Sequence, residues 1–108
     1  MQSVYKMLVS TCPDNHTAEE LAHYLVANQL AACVNILPAI QSVYRWQDAV
    51  ASDEEVMLLI KTHVERYDAI QQVFSEHHPY DVPELLCLPI EQGLPAYLEW
   101  IGESVREA

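Results

Sequence analysis

The stretch Ala32-Cys33-Val34-Asn35-Ile36-Leu37-Pro38-Ala39-Ile40-Gln41-Ser42-Val43-Tyr44-Arg45-Trp46 is too long for an ordinary strand. Its content is nevertheless strand-like, rich in β-branched and aromatic residues. Pro38 lies in its middle, and proline is tolerated in a sheet only at an edge or a bulge. The pattern therefore predicts a long, bent edge strand. Gln47 to Asp53 is polar enough to be the turn that follows, and Glu54 to Thr62 reads as the partner strand. The apolar run Val56-Met57-Leu58-Leu59-Ile60 does not alternate, which predicts burial on both faces at the centre of a sheet. A long edge strand carrying one charge, Arg45, invites pairing with another chain. A sheet-mediated oligomer is expected, unless the C-terminal helix covers that edge.

Outward from this hairpin, Val4 to Thr11 reads as a strand that Cys12-Pro13-Asp14-Asn15 stops. Thr17 and Glu20 form a capping-box pattern, and Leu21, Ala22 and Leu25 carry a helix to about Asn28. On the other side, Thr62 and Glu65 repeat the capping box. Tyr67, Ile70 and Phe74 share one helical face, and the helix must end near His78 because Pro79 follows. Leu85 to Ile90 is a short strand. Pro95 suits a first helical turn, and Leu94, Leu98, Ile101 and Val105 give the stripe of a terminal helix. The first six elements spell an α+β, ferredoxin-like βαββαβ fold with an extra C-terminal helix. One antiparallel sheet would carry two helices on one face. The first and third strands would be central and the second at an edge.

A chain of 108 residues is one domain, 1–108. Sixteen acids against five bases give a net charge of -11, and Lys6, Arg45, Lys61, Arg66 and Arg106 are dispersed. No clustered basic footprint exists for nucleic acid, while the acidity concentrates cations around the molecule. No apolar run approaches the ~20 residues of a membrane span, and Met1 to Lys6 lacks the look of a signal peptide. A soluble cytoplasmic protein is expected. The three cysteines form no CxxC, which disfavours a disulfide framework or a structural zinc site. Cys33 and Cys87, inside apolar runs, are expected to be buried small hydrophobes.

Chemistry concentrates in His77-His78-Pro79-Tyr80. Neighbours on a regular helix point about 100° apart, so two adjacent histidines grip one ion only where the backbone leaves the helix. Pro79 supplies that exit. Imidazole suits copper and zinc. The alternative is that both histidines cap the last helical carbonyls. Cys12, at the end of the first strand, offers a thiolate to the same set. His16 stands near a helix start, and His23 and His63 read as surface helix residues. Glu54 and Glu55 beside Asp53 read as a solvated strand entry. Trp46, Lys61, Tyr80 and Glu84 are candidates to line a cleft between subunits. With two glycines, no GxSxG and no HExxH, neither a phosphate loop nor a nucleophile–base arrangement is present, and no enzyme is expected.

Six segments in register carry a resemblance. They are Leu30-Ala31-Ala32-Cys33-Val34-Asn35-Ile36, Ser42-Val43-Tyr44-Arg45-Trp46, Asp53-Glu54-Glu55-Val56, Leu59-Ile60-Lys61-Thr62, His78-Pro79-Tyr80-Asp81-Val82-Pro83-Glu84 and Leu88-Pro89-Ile90. Together they resemble the CutA family of divalent-cation tolerance proteins over nearly the whole chain. The resemblance implies a homotrimer, cytoplasmic in bacteria, similar in architecture to the PII signalling proteins. It also implies a role in tolerance to divalent metals, copper above all. A copper site proposed for bacterial members uses a first-strand cysteine and two histidines before Pro-Tyr. The histidines carry over onto His77 and His78. The cysteine position is Ser10 here, which leaves Cys12 as the substitute. Two readings follow. One is a copper-binding or zinc-binding trimer. The other is a PII-like trimer that senses a ligand or partner in its inter-subunit clefts.

Overall fold

The computed structural model describes residues 3–106. Four strands form one antiparallel sheet: β1 (Tyr5–Cys12), β2 (Cys33–Trp46), β3 (Ala49–His63) and β4 (Leu86–Pro89). Their order across the sheet is β2-β3-β1-β4, as expected of the ferredoxin-like arrangement. Helices α1 (Asn15–Ala27) and α2 (Tyr67–His77) lie on one face. Leu8 and Cys12 of β1 and Val56, Leu58 and Ile60 of β3 meet Leu21 and Leu25 of α1 and Ile70, Val73 and Phe74 of α2 there. The terminal helix α3 (Pro95–Ser104) packs Ile101 and Val105 against Tyr5 and Ala32 on the other side. It leaves the β2 edge open over most of its length. Among the described residues, no helix is long and apolar enough to cross a membrane.

The run Val56–Ile60 alternates after all: Val56, Leu58 and Ile60 are buried, while Met57 and Leu59 are half-buried. With Met7 and Val9 they form the apolar second face of the sheet, beside the exposed Leu86 and Leu88. Its apolar character has no covering element within the described subunit beyond α3 at one end.

The β2–β3 hairpin is longer than expected. Its turn is only Gln47 and Asp48, both at positive φ (49° and 63°), and β3 begins at Ala49. Ser52, Asp53 and Glu54 are polar because this two-stranded ribbon is bathed in solvent, and they pair with Val43, Ser42 and Gln41. The register shifts between Leu37 and Ile40, so Pro38 sits in a bulge with Ala39 at φ 59°.

Both capping boxes give way to other caps. Asp14 caps α1 by accepting from the Thr17 N–H at 2.8 Å. Thr62 is buried and donates its hydroxyl proton to the Leu30 carbonyl, which ties β3 to the end of α1. His63 instead receives the Glu65 N–H on Nδ1 and opens a single 3-10 turn, Val64–Arg66, ahead of α2. Its place is therefore a strand end, not a surface helix. Pro95 occupies the first turn of α3, but Leu94 precedes the helix and is exposed. Cys33 is half-buried. Cys87 is exposed because β4 is an edge strand, so neither is a fully buried core residue.

Candidate functional site

Alternation along β1 sends Ser10 and Cys12 to the helical side of the sheet, where both are fully buried. Ser10 is committed, since its hydroxyl donates to the Glu84 carbonyl at 2.7 Å. Cys12 faces the end of α2. There Pro79 forbids another helical residue, and His78 turns to extended backbone (φ -76°, ψ 138°). The turn carries the His78 ring into the interior, 7% exposed and stacked on Phe74 at 5.8 Å.

Two hydrogen bonds hold that ring. Its Nδ1 accepts from the Tyr80 N–H at 3.1 Å, which places the proton on Nε2, and Nε2 donates to the Thr11 carbonyl at 2.8 Å. The same Nε2 stands 3.9 Å from Cys12 Sγ. Burial, followed by the charges of Asp14 and Glu55, pushes the Cys12 thiol up to about 11. Tyr80 packs on His78, ring to ring at 4.9 Å, and its hydroxyl donates to Glu55 Oε2 at 2.9 Å. Burial first, and then that hydrogen bond, push the phenol upward. One strand over, the Tyr44 hydroxyl bonds Asp53, which raises this phenol too.

His77 does not join the cluster. It remains on the last turn of α2, exposed, with its ring 5.4 Å from Tyr24 of α1 and its Nε2 3.9 Å from Glu76. The two histidines therefore diverge. The helical exit that was expected to bring them together acts on His78 alone, because His77 is still helical. Among the described residues no group of three metal-ligating side chains comes together. Cys12, His77 and His78 thus do not fit a preformed three-ligand site. The pair Cys12 and His78 does come together, as a thiol and an imidazole in contact.

Within one subunit the four residues expected to line an inter-subunit cleft are spread out. Trp46 is exposed at the hairpin tip, while Lys61 lies near the other end of β3, bonded to Asn35. At about 3.3 Å per residue along a strand these two sit on the order of 40 Å apart. Tyr80 is exposed and packs over the buried His78 while bonding Glu55, and Glu84 contributes its backbone carbonyl to Ser10. Glu55 is the residue that sequence reasoning left among solvated acids. The sheet register reveals it, because Cys12 pairs with the adjacent Val56.

A family model described as CutA1 divalent ion tolerance protein matches residues 6–104. The CutA homolog of Xenopus laevis is 45% identical over 97 residues, covering 90% of this chain and 64% of that protein. The mouse protein CutA is 43% identical over 93 residues, and there the chain spans about half the relative's length (52%). The divalent-cation tolerance protein CutA of Thermus thermophilus is 40% identical over 99 residues, covering 92% of this chain and 96% of that protein. Among solved structures, CutA1 from the psychrotrophic Shewanella sp. SIB1 superposes with a TM-score of 0.95. It is 36% identical and covers 99% of this chain and 100% of that one. The Thermus thermophilus structure gives 0.92 at 39% identity, covering 94% of this chain and 99% of that one.

Proposed function

The chain belongs to the CutA1 divalent ion tolerance protein family, and from that premise we propose that it acts in the cytoplasm as a homotrimer that binds copper and does not catalyse a reaction. The observation that carries the metal reading is the 3.9 Å approach of Cys12 Sγ to His78 Nε2. Thiolate with imidazole is a soft-to-borderline donor pair, suited to copper, above all Cu(I), and also to zinc. For the pair to bind, His78 Nε2 must leave the Thr11 carbonyl and Cys12 must release its proton. Both changes cost free energy, so the pair favours a metal with strong affinity for sulfur. The formal charge of -11 adds a general attraction for cations. Support for assembly comes from the apolar face around Met7, Val9, Met57 and Leu59 and from the bare β2 edge. The number three, like the cytoplasmic location, rests on the family resemblance.

A Cu(I) titration under reducing conditions tests the metal reading, with wild type compared with Cys12→Ser, His78→Ala and His77→Ala. The first two variants are expected to lose at least about tenfold in affinity, the loss of one of two strong ligands, and His77→Ala to keep the wild-type value. Equal affinity in all four proteins would overturn the assignment.

A further inference from the structure

The segment that leads from α2 into β4 is fastened by side chains. Among the described residues, 79–84 make no backbone-to-backbone hydrogen bond. The Ser10 hydroxyl holds the Glu84 carbonyl at the far end, and Tyr80 holds the near end twice. Its N–H donates to His78 Nδ1 at 3.1 Å, and its hydroxyl donates to Glu55 Oε2 of β3 at 2.9 Å. Its ring lies against the His78 ring at 4.9 Å. Exposure falls inward through this stack, from 37% at Tyr80 to 7% at His78 and 0% at Cys12. Tyr80 is therefore the outer layer over the thiol and imidazole. Its N–H also decides which ring nitrogen carries the proton. A metal on Nε2 needs the lone pair of that nitrogen, and a neutral ring then carries its proton on Nδ1. Two donors, Nδ1–H and the Tyr80 N–H, would then face each other across the present 3.1 Å. Ligation at Nε2 and the closed position of Tyr80 exclude one another.

We propose that Tyr80 is a latch over the Cys12–His78 pair, which shields the thiol when closed and must part from His78 and Glu55 before a soft cation can bind. The closure stands on the contacts above, while its coupling to metal rests on the Cys12–His78 reading. Tyr80 is thus a positioning residue. It acts through His78, and the strength of its hold on Glu55 sets part of the free energy that metal binding must supply.

Tyr80→Phe tests both parts, because it keeps the ring and removes the bond to Glu55. In the metal-free full chain, iodoacetamide should reach Cys12 of this variant about fivefold faster than in wild type, the worth of one net hydrogen bond. Cys33 and Cys87 should label at unchanged rates. An unchanged rate at Cys12, or a rise shared by all three cysteines, would defeat the latch. In a Cu(I) titration the same variant is expected to bind about fivefold more tightly, since less closure has to be undone. Damage to the fold alone would weaken binding, so an affinity equal to wild type or lower would defeat the coupling. If Cu(I) affinity ignores Cys12→Ser, the metal reading and the coupling fall together, and the labelling rates still decide the closure.

Discussion

His77 and His78 are one position apart and end in different surroundings. One faces α1 in solvent, and the other lies under β1 with both ring nitrogens bonded. The presence of an imidazole-rich helix end was legible in the sequence, and so was the break imposed by Pro79. The divergence was not, because it depends on which residue holds the last helical φ and ψ and on the room beneath Thr11. The substitute thiol was legible only as a possibility. Alternation along β1 put Ser10 and Cys12 on one face, and only the fold shows that Ser10 is spent on Glu84 while Cys12 meets His78. Cys12 also carries a pH prediction. Its thiol is raised from 9.0 to about 11, so the fold favours the neutral form. The group's contribution to stability is complete below about pH 9 and is lost as the pH climbs towards 11. At pH 8 Cys12 should hold about a hundredfold less thiolate than an ordinary cysteine. Iodoacetamide at that pH should label the exposed Cys87 while leaving Cys12 intact, as peptide mass mapping would read. Labelling of Cys12 at the rate of Cys87 would contradict the burial and hydrogen bonding described above.

At the scale of elements, the β2–β3 hairpin shows what a polarity pattern can and cannot say. Pro38 announced the bulge, since a residue without an N–H has few places in a ladder. The pairing partner was announced by the apolar run at Val56. Length was hidden, because Ser52 and Asp53 look like turn residues when they are in fact the solvated part of a ribbon. Their polarity reports water on both faces, which a turn and a protruding ribbon share. The real turn carries two non-glycine residues at positive φ, in the two-residue geometry that favours Asn-Gly. Replacing Gln47 by Asn and Asp48 by Gly together is expected to stabilise the subunit by about 1 kcal/mol, the cost of holding L side chains in the left-handed region. Guanidinium unfolding should show a higher midpoint with an unchanged slope. A lower midpoint would mean that the present side chains make contacts at the tip that offset the backbone cost.

For the molecule as a whole, the sheet order was legible because an awkward proline and an apolar run assigned the edge and the centre independently. What the sheet does with its second face was not, since the run was read as non-alternating and buried on both faces at the sheet centre, while Met57 and Leu59 are only half-buried in the subunit. In the subunit that second face is only half-covered, and the apolar side chains of Met7, Val9, Met57 and Leu59 stand next to the exposed Leu86 and Leu88. Exposed contiguous apolar surface of this kind marks an interaction site. The proposed homotrimer would close it without leaving an open sheet edge to propagate into fibres. The trimer and the Cys12–His78 metal pair are the two halves of the functional account, and native mass spectrometry of the Cu(I)-loaded protein reads both at once. The expected spectrum shows an ion at three times the 12.3 kDa subunit mass with one copper per subunit, and the same trimer without that copper for Cys12→Ser. Subunit-mass ions alone, or a trimer whose copper content ignores the substitution, would contradict it.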